Sequence, residues 1–179
     1  MNKAVFLDRD GVVIKASVIN GRPYPAASLD EVQITPGFDQ VSQMLHKAGY
    51  LLIVITNQPD VARGTQTRNV VESINQFLLD RLPIEKVYTC YHDNADGCEC
   101  RKPKPGLLLQ AAREYDIDLN SSYMVGDRWS DIDAGNAAGC QTIYISYGYE
   151  EKQALGYNFL VIDPLEISAI ITGGLVEAN

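Results

Sequence analysis

Four aspartates stand in two close pairs, Asp8 and Asp10 in FLDRDGV and Asp127 and Asp131 in GDRWSD. Each pair follows a short apolar run, where an unpartnered charge is costly. Carboxylates gathered into one crevice repel each other, and such a group either shares a proton or recruits a cation. An all-oxygen donor set suits Mg²⁺, which takes one or two carboxylates together with waters and a substrate phosphate. Lys102 in RKPKPG offers a compact positive charge, and Thr56 and Asn57 in VITNQ offer neutral hydrogen-bonding groups. Together these residues suit a phosphoryl group in transfer, whose charge spreads over its outer oxygens. Taken singly, DRDG reads as a solvated turn and GDRWSD as an ordinary helix start. The chemistry therefore depends on whether the fold brings them together.

A second cluster lies in CYHDNADGCEC, where Cys90, His92, Cys98 and Cys100 form a C-x-H-x₅-C-x-C pattern. Three thiolates and one imidazole complete a tetrahedral Zn²⁺ site with no open position, the mark of a structural rather than a catalytic ion. A disulfide is the competing reading, and a reducing compartment disfavours it. The fourth cysteine, Cys140, is expected to be a buried strand residue.

Strand-like and helix-like stretches alternate along the chain, the pattern of a parallel α/β sheet. AVFL, YLLIVIT, EKVYTC, SYMVG, QTIYIS and NFLVI read as strands. Helices are expected from Phe38 to Ala48, from about Arg68 to Arg81, over PGLLLQAAREY, over SDIDAGNAAG, and from Pro164 to about Ile171. The result is a doubly wound, Rossmann-like parallel sheet in one domain, residues 1–179, without a large cap. Ligands of such sheets sit beyond the carboxyl ends of the strands. Asp8 and Asp10, Thr56 and Asn57, Asp127 and Asp131, and the segment bearing Arg101 and Lys102 are expected to meet there. The insert at about 15–31 and the cysteine loop at 90–100 would shape the pocket.

With 179 residues, 46% apolar and 21% charged, the composition is that of an ordinary globular domain. A net charge of −8 argues against a nucleic-acid partner, which requires clustered Lys and Arg. No apolar run is long enough to span a membrane, and no leader opens the chain, so a cytoplasmic location is expected. Nothing in the sequence demands more than a monomer.

In order and spacing, DRDGV, VITNQ, RKPKPG and GDRWSD resemble the four motifs of the haloacid dehalogenase-like phosphatases. The resemblance implies that Asp8 attacks phosphorus to form an aspartyl-phosphate, while Asp10 protonates the leaving oxygen and later activates water. It implies a Mg²⁺ ion on Asp8, Asp127 and the backbone carbonyl of Asp10. Thr56 and Lys102 would stabilise the phosphoryl group, and Asp131 would position Lys102 or a metal-bound water. Arg9, between the two aspartates, is assigned no part in the chemistry.

Within that family, the pairing of C-x-H…C-x-C with RKPKPG is similar to the D-glycero-D-manno-heptose 1,7-bisphosphate phosphatases and the histidinol-phosphate phosphatases. VINGRPYP and TNQPDVARG favour the heptose branch. This implies a small phosphorylated sugar as substrate and removal of the 7-phosphate, with Asn57, Gln58, Arg63, Arg101 and Arg128 facing it. For Arg128 a surface ion pair is an equal alternative. Pro59 and Asp60 depart from the Ser-Gly of that pattern, placing a carboxylate beside the phosphate. Two other readings stand beside this one: another sugar-phosphate or histidinol-phosphate phosphatase, and a catalytically silent phosphate-binding regulatory protein.

Overall fold

The computed structural model describes residues 1–173; residues 174–179, part of the expected single domain, lie outside the described residues. In chain order the elements are β1 (Lys3–Leu7), β2 (Ser17–Ile19), β3 (Arg22–Tyr24), α1 (Phe38–Lys47), β4 (Tyr50–Asn57), α2 (Arg68–Arg81), β5 (Ile84–Cys90), α3 (Gly106–Glu114), β6 (Tyr123–Gly126), α4 (Trp129–Ala138), β7 (Gln141–Ile145), β8 (Phe159–Val161) and α5 (Glu166–Thr172). Six of the strands form one sheet in the order β5-β4-β1-β6-β7-β8, all neighbours parallel. The doubly wound architecture expected from the sequence is the one observed.

Strand β1 explains why its sequence is apolar on both sides. Val5 and Leu7 point to one face, packing with Phe38, Val41 and Leu45 of α1, Ile74 and Leu78 of α2, and Ile167 and Ile171 of α5. Ala4 and Phe6 point to the other, among Leu107, Leu108 and Ala111 of α3 and Ala134 and Ala138 of α4. Covered on both faces, a parallel strand reads as a continuous hydrophobic run rather than an alternation. The sheet order reverses at β1, which pairs with β4 on one side and β6 on the other. That reversal opens a crevice beyond the carboxyl ends of the three strands.

Helix boundaries follow local chemistry. Thr67 accepts a hydrogen bond from the Val70 amide (3.3 Å) and caps α2, which stops before Pro83. One element was not expected. The insert at 15–31 contains an antiparallel hairpin, with β2 and β3 paired across Ser17–Tyr24, Val18–Pro23 and Ile19–Arg22. Its turn is Asn20-Gly21, both at positive φ (50° and 71°), and Asn-Gly is the strongest short-range hairpin signal. The strands, three residues each, were too short to declare themselves by alternation. The Glu150 amide donates to the Gly21 carbonyl (2.8 Å), so the turn rests against the segment after β7. Among the described residues, no helix is long and apolar enough to cross a membrane.

Because the hairpin is exposed and Gly21 holds a positive φ against the Glu150 side chain, Gly21→Val should loosen it alone. The local cost is about 1–2 kcal/mol. Hydrogen exchange read by mass spectrometry should show faster amide exchange confined to residues 17–24. The unfolding midpoint of the sheet should be unchanged.

Candidate active site at the carboxyl edge of the sheet

Lys102 reaches the crevice as a buried cation with all three of its ammonium hydrogens engaged. Its Nζ lies 2.7 Å from Asp8 Oδ1, 2.7 Å from Asp131 Oδ1 and 2.7 Å from the carbonyl of Ile55. The loop that delivers it is docked on β4. Asn57 Nδ2 donates to the Lys102 carbonyl, and the Lys102 amide donates back to Asn57 Oδ1, both at 3.1 Å. Burial acts to lower the pKa of this ammonium, but Asp131 and Asp8 outweigh it and hold the group charged.

The backbone at the end of β1 is equally fixed. The Asp8 amide donates to Val125 of β6 (3.0 Å), carrying the strand pairing one residue beyond β1. The amides of Val13 and Ile14 both donate to the Arg9 carbonyl, closing a tight turn. Gly11, at φ +99°, is required in that turn on two counts. Its conformation is one that L side chains resist, and a Cβ there would stand 1.9 Å from Asp127 Oδ2.

Asp8, Asp127 and Asp131 each offer an oxygen within 4.8 Å of the others, and all three residues are buried. Against them stands one ammonium, so the cluster carries two formal negative charges in excess. Burial, reinforced by Asp131 and opposed by Lys102, raises the Asp8 carboxyl above its ordinary value. Asp127 is pushed well above its own by burial, then by Asp8 and Asp131. Its Oδ2 accepts from the Tyr149 hydroxyl (2.9 Å), while its Oδ1 is buried with no hydrogen-bond partner among the described residues. An orphaned carboxylate oxygen inside an over-charged oxygen cluster is the signature of a hard divalent cation's seat. The donor set fits Mg²⁺.

The adjoining cavity, about 170 Å³, is lined by Asp8, Asp10, Thr56, Asn57, Lys102 and Asp131. Its rim includes Pro23, Tyr24 and Pro25 of the hairpin, Pro59, Asp60 and Arg63 of the loop after β4, and Arg128. Asp10 is held from behind. Arg9 Nε and Gln58 Nε2 donate to its Oδ2 at 3.0 and 2.8 Å, and Gln58 also reaches Thr56 Oγ1 at 2.9 Å.

Several residues expected to face a substrate have other partners. The Asn57 amide is committed to Lys102, although the residue lines the cavity. Gln58 is buried behind Asp10 and does not line it. Arg101 lies in a neighbouring depression, donating to Asn94 Oδ1 (2.8 Å) and the His92 carbonyl (3.3 Å). Arg128 lines the cavity and is paired with Glu151, which is the ion-pair alternative. Arg63 lines the rim and clasps Asp93 (2.7 and 2.9 Å) as well as Asp60 (3.2 Å). Hydrogen bonding from Arg63 brings the Asp93 carboxyl down to about 2. Tyr149 was not foreseen, and neither was the burial of Arg9. Only the polar Asn75, on the buried face of α2 beside Ile74 and Leu78, hinted at a polar partner beneath.

In the cysteine loop, Cys90, Cys98 and Cys100 have sulfurs 3.2–3.7 Å apart, and His92 Nδ1 lies 3.2 Å from Cys100 and 3.7 Å from Cys90. These are separations for four donors around one centre, far beyond an S–S bond of about 2.05 Å. All four cysteines of the chain, including the buried Cys140, are free.

Three comparisons bear on this geometry. Residues 99–165 match a family model described as HAD-hydrolase-like. The chain is 39% identical to the D-glycero-β-D-manno-heptose-1,7-bisphosphate 7-phosphatase of Pasteurella multocida, over 97% of this chain and 98% of that protein. It is 34% identical to the D-glycero-α-D-manno-heptose-1,7-bisphosphate 7-phosphatase of Campylobacter jejuni, over 80% of this chain and 81% of that one. Among solved structures, the D,D-heptose 1,7-bisphosphate phosphatase of B. bronchiseptica, complexed with magnesium and phosphate, superposes with a TM-score of 0.81 at 28% identity. That match covers 97% of this chain and 99% of the other.

Gly11→Ala should displace Asp127 and empty the cation seat of one ligand. Added Mg²⁺ at 100 times its dissociation constant should stabilise the unaltered protein by about 2.7 kcal/mol. In the variant most of that gain, read as a shift of the thermal midpoint, should disappear.

Proposed function

The chain belongs to the haloacid dehalogenase-like phosphatases, and on that footing we propose that it removes the 7-phosphate of D-glycero-D-manno-heptose 1,7-bisphosphate. The observation that carries the reading is the site itself: a carboxylate at the end of β1 fixed by a buried lysine, beside an unsatisfied Asp127 oxygen. Similarity to the heptose bisphosphate phosphatases along nearly the whole chain supports the substrate.

Lys102 holds Asp8 Oδ1, which leaves Oδ2 to attack phosphorus. The phosphorus–oxygen bond to the sugar breaks as the Asp8–phosphorus bond forms, and Asp10 gives its proton to the departing oxygen. Water then attacks phosphorus as the Asp8–phosphorus bond breaks, Asp10 takes a proton from that water, and inorganic phosphate leaves with the Asp8 carboxylate restored. Lys102 and Thr56 stabilise charge on the phosphoryl oxygens, and Asp131 keeps Lys102 in place. Mg²⁺, held by Asp8, Asp127 and the Asp10 carbonyl, would draw charge from the phosphoryl oxygens. Arg63 and Arg128, which line the cavity rim, would meet the remote phosphate, with Arg101 acting through the cysteine loop.

Cys90, His92, Cys98 and Cys100 hold a structural Zn²⁺ in this reading, stiffening the loop that ends at Lys102. The chain works as one domain and as a cytoplasmic monomer. The hairpin and the cysteine loop stand in for a cap.

A phosphate-release panel containing both heptose 1,7-bisphosphate anomers, sugar monophosphates and histidinol phosphate tests the proposal. One heptose bisphosphate anomer should give the highest kcat/KM, and Asp8→Asn should reduce it at least about a thousandfold. A preference for histidinol phosphate, or no release at all, would sink it. Metal analysis should find about one zinc per chain, lost in Cys98→Ser together with several degrees of thermal stability.

A further inference from the structure

Among the described residues Arg9 is the largest fully buried side chain, and nothing in the chemistry above uses it. Its guanidinium forms a fork on Asp10, with Nε 3.0 Å from Oδ2 and NH2 3.4 Å from Oδ1. On its far side NH1 donates to Asn75 Oδ1 (3.0 Å), and Asn75 Nδ2 donates in turn to Thr89 Oγ1 (3.1 Å). A chain of directed hydrogen bonds thus runs from the cavity through Arg9 to α2 and β5. Gln58 closes it from the other side by donating to the same Asp10 oxygen.

Burying a guanidinium is expensive unless it is paired and its remaining hydrogens are satisfied. Lysine would carry the charge with the same burial, but only the planar fork can join Asp10 and Asn75 at fixed angles. Asp10 Oδ2 receives two donors at or below 3.0 Å, whereas Oδ1 receives only the longer contact. The two carboxylate oxygens are therefore not equivalent. Oδ2 is the doubly anchored oxygen, and Oδ1 is the less engaged one on a residue that lines the cavity.

We infer that Arg9 is a positioning residue, seated by Asn75 and assisted by Gln58, that fixes Asp10 so that Oδ1 exchanges the proton with the leaving oxygen and the attacking water. This rests on the phosphatase reading of the same site. Proton transfer by a positioned group contributes about 10²–10⁴-fold. It matters most when the leaving oxygen is a poor one, so the effect should depend on the leaving group.

The test compares kcat/KM, which reports the first phosphoryl transfer, for a sugar phosphate and an aryl phosphate such as 4-nitrophenyl phosphate. Arg9→Lys, Gln58→Met and Asn75→Ala are measured beside the unaltered protein, each checked for a cooperative thermal transition. For the sugar phosphate, Arg9→Lys should fall by about 100-fold and Gln58→Met and Asn75→Ala by about tenfold each. For the aryl phosphate the losses should stay within about threefold. Equal losses on both substrates would mean a structural role and overturn the inference, as would no loss on either. If Arg9→Lys does not fold, Gln58→Met and Asn75→Ala decide by the same ratio. Absence of phosphate release by the unaltered protein would instead defeat the phosphatase reading itself.

Discussion

One ammonium group organises this molecule. Lys102 Nζ joins the end of β1 through Asp8, the end of β4 through the Ile55 carbonyl, and the start of α4 through Asp131. Three elements remote in sequence meet at one buried point, and each contributes an oxygen to it. Such a charge in the interior is tolerated only when its partners are complete, and here they are. The partners exceed what one cation neutralises, so the cluster is incomplete by charge while satisfied around the lysine. That imbalance turns a structural ion pair into a seat for a second cation.

The sheet makes the arrangement inevitable once the strands are laid down. Alternate residues of β1 are committed to the two helical layers, so the chain can leave the core only at its carboxyl end. There the reversal of strand order leaves space, and the strand neighbours on either side supply Thr56 and Asp127. The turn at Gly11 packs directly beneath Asp127, so the first and fourth motifs touch through a missing side chain. Tightness of this kind favours electrostatic preorganisation over flexibility.

The alternating pattern of strands and helices was legible because both faces of the sheet are covered, which makes its strands long apolar runs with sharp polar ends. Asp8, Thr56 and Asp127 stand at those ends, whereas Lys102 arrives on the loop after β5 and Asp131 on the first turn of α4. What stayed hidden were partnerships between side chains distant in sequence. The resemblance implied that Asn57 and Gln58 face the substrate, yet their amides face inward, one to the Lys102 backbone and one to Asp10. Arg9, between two aspartates, was given no part in the chemistry, and its partner Asn75 lies 66 residues away in sequence. The hairpin was announced solely by its Asn-Gly turn, since strands with no buried face leave no hydrophobic signature.

Arg63 spans the mouth of the cavity, bound to Asp60 on its own loop and to Asp93 on the cysteine loop. Unlike the ion pairs around Lys102, this clasp is partly open to solvent. Mobile ions screen exposed charges within roughly 8–10 Å at ordinary ionic strength, whereas buried pairs are reached far less. The molecule therefore has two electrostatic regimes only a few residues apart. The buried ion pairs of its floor are shielded from the surrounding electrolyte, while the clasp that joins its two rims weakens as salt rises.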